Sequence, residues 1–530
     1  MNSGPPIHLS GIAASPGYAE GPLHPLESAR PAYAPKGDAE AERMALVEAV
    51  AEASARIAVL IEQAIDESAA MLEFQLAMLD DEALAAPSLA AIADGAPADT
   101  AWTRALDAEI AGYESSEDEY FRARAADLRD IRDQVLRALT ETAACAAPPG
   151  AILFGDDIAP TRFLETDWSQ GGGIALSRGS TASHVAMLAR ARGIPMVVGL
   201  GDADAAPAGL ALLDAEQGGL VVSPAPQDVS SFHARAQTFA EKRRAAGSYL
   251  HRPAATRDGV PVRVLVNVAD PSDVDAIDIA TCDGVGLMRT EFLFGRQLPD
   301  EETQLAAYRK VLEWAAGKPV TIRTVDAGGD KPVPGFTVDE PNPFLGLRGI
   351  RLSLARPEIF RVQVRALLRA AMLGTLKVMF PMVALRAEYD RAAAIFDEEA
   401  QALSAAGIAH RLPPLGMMVE VPAAAIAPER FGHVAFLSIG SNDLTQYVMA
   451  AARDNSAVAA LNDVRDTAVM RLIGSVAAFA AERTIPLSLC GDAGGDPRAI
   501  PDLLKAGIRE VSVAPAQLAV AKAAIAAVEI

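Results

Sequence analysis

Cysteine is scarce: the 530 residues hold three, Cys145, Cys282 and Cys490, far apart and without a Cys-x-x-Cys pair. That argues against a disulfide framework or a structural zinc site and fits a reducing cytosol. Aromatic residues make up 5% of the chain, and there are only seven histidines. Basic charge is short as well: 47 Lys and Arg stand against 69 Asp and Glu, a formal net charge of −22. Such a balance argues against non-specific nucleic-acid binding, which needs a basic face, and admits a basic protein partner steered by opposite charge. No charge-free apolar run of about 18 residues occurs, so no membrane insertion is expected. The N-terminus, MNSGPPIHLSGIAASPG, lacks a basic segment followed by an apolar core and does not read as a signal peptide. A cytoplasmic protein is expected.

What is present is a large apolar fraction, 51%, in a chain long enough for two to four domains. The opening IHLSGIAASPGYAEGPLHPL is strand-like and punctuated by Gly and Pro. From Lys36 to Ala86 there is no proline, and Leu46, Val50, Ile57, Leu60, Ile61 and Ile65 recur at helical spacings. A break at APSLAAIADGAP separates this from a second helical stretch, about Thr100 to Thr142, and the acidic ESSEDEY of residues 114–120 reads as an exposed face. After AAPPGAILFGDDIAP, short apolar runs alternate with glycines. The expectation is an α/β domain of residues 1–35 and 144–230, interrupted by an all-α helical-hairpin insert at 36–143 and followed by a linker helix at 231–252.

Residues 253–530 show eight apolar runs: VRVLVNV, GVGLMRTEF, VTIRTVD, LRGIRLS, LKVMFPM, LGMMVEVP, VAFLSIGSND and LSLCGD, with helical patterns between most of them. A (β/α)8 TIM barrel and a doubly wound open sheet both satisfy this rhythm. The barrel is favoured because nearly every run ends in a charged or amide residue, and barrel enzymes carry their chemistry at the C-terminal strand ends. Arg289 and Arg323 end consecutive runs, and NPFLGLRGIR adds Arg348 and Arg351. Converging guanidiniums suit a phosphate, although a single strand-end arginine is more often a surface ion-pair partner. Glu420 and Asp443 close two later runs and are suited to Mg2+, or serve as structural carboxylates. Asn442 and Arg453 add donors nearby. Cys490 ends the last run, either as a small buried apolar group or as a proton donor to a carbanion or enolate. In STASHVAMLARARGIPMVVG, His184 stands at a helix start flanked by Ser180, Thr181 and Ser183, a setting that favours a phosphoryl group. An imidazole nucleophile and an ordinary helix-start residue remain open there.

These stretches together resemble a known family. TASHVAMLARARGIPMVVG resembles the phosphohistidine segment of phosphoenolpyruvate-utilising enzymes, and GVGLMRTEFLF, IRTVDAGGDK, NPFLGLRGIR, MMVEVPAA, SIGSNDLTQY and LCGDAGGD resemble their barrel. The combination, in order over nearly the whole chain, is similar to the enzyme I family of the phosphotransferase system. The resemblance implies a phosphohistidine α/β domain and a C-terminal barrel, with transfer of the phosphoryl group of phosphoenolpyruvate to His184 and then to the phosphocarrier protein HPr. It implies that Arg289 and Arg323 hold the phosphate, that Asn442, Asp443 and Arg453 contact the substrate, and that Glu420 and Asp443 ligate Mg2+. It further implies that Cys490 protonates the enolate, that the helical insert docks HPr, and that the barrel forms a homodimer.

Two departures stand out. The family reads Gly-Gly-x-Thr-Ser-His, whereas here Thr181 lies one place earlier and Ala182 precedes Ser183; the family reads Cys-Gly-Glu, whereas here Asp492 follows Gly491. Related ATP-dependent dikinases are disfavoured, because only 183 residues precede His184, without a Gly-rich nucleotide loop. A phosphoenolpyruvate-binding regulator without catalysis is disfavoured by the intact set of site residues. Because His184 and the barrel arginines fall in different domains, a hinge motion at the linker is expected.

Overall fold

The computed structural model describes residues 5–26, 33–63, 67–114, 119–140, 147–179, 181, 183–201, 209–294, 298–329, 333, 335–338, 340, 342–452, 458 and 461–530. For residues 62–63, 67–71, 82, 114, 119–124, 126, 184 and 191 it describes the backbone alone. The chain divides into two compact units, the first chiefly Met1–Phe239 and the second Ala240–Ala452 with Ala457–Ile530. Among the described residues no helix is long and apolar enough to cross a membrane.

The first unit opens with β1 (Ile7–Ser10), β2 (Ile12–Ser15) and β3 (Tyr18–Pro25). Five helices follow: α1 (Ala39–Gln63), α2 (Glu67–Leu79), α3 (Glu82–Ala93), α4 (Ala98–Glu114) and α5 (Glu119–Leu139). The chain then returns through β4 (Ile152–Gly155), α6 (Pro160–Glu165), β5 (Gly173–Leu176), α7 (His184–Arg192), β6 (Met196–Val198), β7 (Leu210–Asp214) and β8 (Gly219–Val222). The eight strands form one sheet in the order β1-β8-β7-β3-β4-β5-β6-β2. Strands β3 to β6 run parallel, while β7, β8, β1 and β2 join antiparallel.

The helical insert packs around its own apolar core. On α1, Leu46, Ala49, Ala53, Ile57 and Leu60 are buried at spacings of three and four, which place them on one face. The indole of Trp102 on α4 is buried and donates to the Arg132 carbonyl at 3.2 Å. The expected break at residues 86–97 is narrower than the sequence suggested: α3 continues through Pro87 to Ala93, and the helix is interrupted only before α4 begins at Ala98. A proline there forfeits one helical hydrogen bond, but Asp81 caps the helix by accepting from the Ala83 amide, and Ser88 and Ile92 lie buried in the bundle. The buried Asp130 on α5 ties the insert to α6 by accepting from the Thr161 hydroxyl at 2.8 Å. Residues 115–118 of the acidic stretch, and Cys145, lie outside the described residues.

Helix α8 (Pro226–Gly247) leads from the first unit into the second, covering part of the stretch read as a linker. The second unit contains β9 (Arg263–Val268), β10 (Val285–Met288), β11 (Val320–Arg323), β12 (Leu376–Phe380), β13 (Leu415–Val419), β14 (Leu437–Gly440), β15 (Leu487–Cys490) and β16 (Glu510–Val513). They close in sequential order into an all-parallel barrel. Packed from inside and covered by helices outside, most of these strands read as unbroken apolar runs.

Eight strands were expected and eight occur, but one assignment was misplaced. LRGIRLS is not a strand; Ile350–Ala355 is a helix. Gly349 initiates it at φ +60°, where a Cβ would stand 2.9 Å from that of Met382, so the backbone turns tightly. Ile350, Leu352 and Ser353 are its buried residues. The missing strand is β16, whose EVSV is short and half polar. It completes the barrel by pairing with β9, where Arg263 and Glu510 form an ion pair at 2.7 Å. Cys490 therefore ends the seventh strand rather than the last.

The barrel interior carries a layer of Leu287, Met379, Met418, Phe436 and Cys490. It leaves no room at Gly416, where an added Cβ would approach the Phe436 ring to 2.5 Å. Gly416→Ala is expected to destabilise the barrel by about 1–3 kcal/mol, as overpacking does in well-packed cores. A lowered urea midpoint for barrel unfolding checks this; an unchanged midpoint contradicts it.

Candidate active site

The C-terminal ends of the barrel strands gather most of the polar residues singled out in the sequence. Arg323 is the last residue of β11, Arg289 directly follows β10, Glu420 directly follows β13, and Cys490 ends β15. Asn442 and Asp443 lie in the first turn of the helix Ser441–Met449, which starts at the end of β14. Arg453 lies outside the described residues.

The centre of the site is a buried ionic lattice. Arg323 donates from Nη2 to Glu291 Oε2 at 3.1 Å and pairs through Nη1 with Asp326 Oδ2 at 3.0 Å. Asp326 also receives a two-pronged contact from Arg348, Nε to Oδ1 at 3.1 Å and Nη2 to Oδ2 at 3.0 Å. Arg348 continues to Asp443 Oδ1 at 3.3 Å and to the Tyr447 hydroxyl at 3.2 Å. Tyr447 in turn donates to the Phe344 carbonyl at 2.6 Å. The forked guanidinium geometry makes such a lattice rigid. Behind it, Gln363 accepts from the Val325 amide and donates to Thr290 and Tyr308, while Thr290 donates to the Arg323 carbonyl. Burial opposes the charge of both arginines, yet the carboxylates around them hold both guanidiniums firmly protonated.

Glu420 is the misfit. It is 1% exposed; its Oε1 accepts from the Met382 amide at 2.6 Å, while its Oε2 is buried with no hydrogen-bond partner. Met382 holds its position at φ +57°, a strained conformation for a side chain of its size. Burial, together with the Asp443 and Asp326 carboxylates, pushes the Glu420 carboxyl up to about 8, far above the ordinary carboxylate range. Glu291, Asp326, Glu420 and Asp443 thus gather about Arg323 and Arg348. An orphaned carboxylate oxygen beside a second carboxylate is donor chemistry that suits a hard divalent cation; Glu420 and Asp443 are the pair that could hold one, Asp443 now being engaged by Arg348, and among the described residues no group of three or more His, Cys, Asp or Glu is placed to do so. Arg323 retains one buried donor without a partner, Nε.

Asn442 is fixed by the residue that departs from the family motif. Its Nδ2 donates to Asp492 Oδ2 at 3.3 Å, and its Oδ1 accepts from the Asp492 amide at 3.0 Å. Gly491 makes this possible at φ +102°, since a Cβ there would meet Asn442 Oδ1 at 2.7 Å. The Cys490 thiol is 2% exposed, and burial pushes it up to about 11, leaving it protonated at neutral pH.

In the first unit, His184 is the first residue of α7, with Ser183 as its N-cap accepting from the Ala186 amide at 3.2 Å. The His184 side chain, Ser180 and Ala182 lie outside what the structure describes. The turn before the helix is anchored by Arg190, which donates to the carbonyls of Thr181 and Ala14, each at 2.8 Å.

The sequence reading missed Glu291, Tyr447 and the Met382 amide. Glu291 stood two residues after Arg289 in the same strand-end segment, which is a usable signal. Tyr447 is one helical turn beyond Asp443, and that spacing places both on one face. Nothing in the sequence marked Met382.

Models of the phosphoenolpyruvate-utilising enzymes match in three places: the N-terminal region over residues 10–124, the mobile domain over 147–218 and the PEP-binding domain over 243–530. The chain is 36% identical over 532 residues to a phosphoenolpyruvate-protein phosphotransferase of Geobacillus stearothermophilus, covering 97% of this chain and 92% of that one. A Bacillus subtilis protein of the same name is 35% identical, with 98% and 94% covered. One from Haloferax volcanii is 36% identical over 474 residues, with 87% and 82% covered. The chain belongs to the phosphoenolpyruvate-utilising enzyme family, among the phosphoenolpyruvate-protein phosphotransferases.

Proposed function

We propose that this chain transfers the phosphoryl group of phosphoenolpyruvate to its own His184 and from there to a histidine of HPr, releasing pyruvate as the first step of the sugar phosphotransferase system. The observation that carries the barrel half of this reading is the ionic lattice at the strand ends, with its orphaned Glu420 oxygen. Glu420 and Asp443 would hold Mg2+, which when bound supplies positive charge to the substrate's phosphate and carboxylate oxygens. Arg289 and Arg323 hold the phosphate, and Asn442, Asp443 and Arg453 orient the rest of the substrate. The His184 imidazole forms the new bond to phosphorus as the bond to the enol oxygen breaks. Cys490 then gives its proton to the methylene carbon, and pyruvate leaves.

The second half-reaction belongs to the first unit. The helical insert at 36–143 offers the docking surface for HPr, and the acidic balance of the chain suits a basic partner. The segment 231–252 acts as the hinge that lets His184 visit the barrel and then the carrier, and the barrel at 253–530 makes the homodimer. Radiolabelled phosphoenolpyruvate with Mg2+ tests the reading. One acid-labile, base-stable phosphate per chain, with pyruvate released in equal amount, is expected. A chain that binds phosphoenolpyruvate but retains no covalent label is a binding protein, and the reading fails.

A further inference from the structure

In the buried interior of the barrel, two serines lie beside Cys490. Ser438 on β14 stands in register with Ser488 on β15, two residues below the Gly440–Cys490 pair. Ser488 donates to the Ser438 hydroxyl at 2.9 Å, Ser438 donates to Cys490 Sγ at 3.7 Å, and the thiol donates to the Ile439 carbonyl at 3.5 Å. Ser438 is wholly buried and Ser488 nearly so. Around the sulfur the layer is apolar: Leu287, Met379, Met418 and Phe436. Alanine would pack such a layer without buried hydroxyls needing partners, so the chain from Ser488 through Ser438 to the sulfur calls for a chemical reason.

We propose that Ser438 is a positioning residue for Cys490: its hydroxyl fixes the thiol and donates to the sulfur once the proton has gone to the substrate carbon, with Ser488 polarising it from behind. The inference rests on the reading of Cys490 as proton donor. In that step a C–H bond forms at the methylene carbon of the enolate, the S–H bond breaks, and the electron pair stays on sulfur; no proton leaves Ser438. A thiolate left in this layer without a donor is a buried, unpartnered charge. The charged groups that act on it are Glu420, which disfavours the thiolate, and Arg323 and Arg289, which favour it. The Ser438 hydrogen bond favours it as well, against the larger effect of burial.

By microscopic reversibility, the thiolate removes a methyl proton from pyruvate in the reverse direction. The test follows deuterium wash-in to the pyruvate methyl group, by proton magnetic resonance in deuterium oxide, with the full chain at equilibrium with phosphoenolpyruvate, pyruvate and Mg2+. Ser438→Ala is expected to slow wash-in at saturating pyruvate by about tenfold or more, the scale of a hydrogen bond to a charged group. The KM for pyruvate and single-turnover phosphorylation should stay at wild-type values, and Ser438→Thr should restore most of the rate. Ser488→Ala should give a smaller loss of the same kind, and it carries the test if Ser438→Ala does not fold. Cys490→Ala should abolish wash-in; if it does not, the proton-donor reading itself is wrong. If Cys490→Ala abolishes wash-in while the serine variants match the wild type, Ser438 has no such role. The same conclusion follows if phosphorylation falls in step with wash-in and threonine does not rescue.

Discussion

His184→Ala is expected to take up no phosphate from phosphoenolpyruvate, against one per chain for the wild type. The argument starts from the backbone. His184 is the first residue of α7, where amide N–H groups lack intrahelical partners and the helix dipole favours an anion. Ser183 accepts from one of these amides, that of Ala186, and Arg190 pins the preceding turn to the sheet unit through the carbonyls of Thr181 and Ala14. On the proposed reading the phosphoryl group is carried at a helix start, a setting whose backbone amides and dipole favour an anion. Alanine keeps the helix start and removes only the nucleophile. Phosphorylation should therefore fall below detection, while the helix content and the thermal unfolding of the variant match the wild type. Wild-type labelling in a folded His184→Ala chain would move the phosphorylation site elsewhere and break the link between the two units on which the proposed cycle depends.

Legibility in the sequence followed the length and uniformity of each signal. The α1 face, with apolar residues recurring from Leu46 to Leu60, was plain because many turns of helix repeat one pattern. Most barrel strands were plain because burial on both faces leaves unbroken apolar runs. The two errors in the barrel are of one kind. In LRGIRLS a short apolar run does not separate a strand from a helix start, and the Gly349 turn that decides the matter is a tertiary contact with Met382. In EVSV the strand faces a polar partner, since Ser512 Oγ donates to Asn267 Oδ1 at 2.6 Å, so its interior face is not apolar. Pro87 misled for the opposite reason: a strong local breaker was overridden by packing of the helix it interrupts. At the site, the strand-end residues were legible one by one, but not their pairing. That Arg348 bridges Asp326 and Asp443, or that Glu420 is left with a bare oxygen, depends on side chains brought together from distant loops.

That pairing gives the second large effect, the loss expected for Arg323→Lys. Both terminal nitrogens of Arg323 are already committed, Nη2 to Glu291 and Nη1 to Asp326. The fork is thereby held in place, and Nε is a further nitrogen of the side chain buried without a partner. Lysine keeps one positive charge but offers a single ammonium centre, which Glu291 and Asp326 capture. Nothing then replaces the Nε donor, and the rigid orientation is lost. In-line phosphoryl transfer spreads charge over the equatorial oxygens, so a preorganised donor acts mainly on the transition state. The kcat for pyruvate release should fall by about 10²-fold or more, the scale measured for removal of one well-placed charge-stabilising donor. Asp326 keeps its two contacts from Arg348, so the lattice stays paired and the barrel's urea midpoint should move little. Steady-state kinetics with phosphoenolpyruvate decide the point. A fall in kcat at nearly constant KM matches a donor that acts in the transition state. A raised KM with unchanged kcat would make Arg323 a residue of uniform binding, and the stabilisation of the transferring phosphoryl group would then have to come from other groups at the barrel mouth, with Arg289 the first to examine.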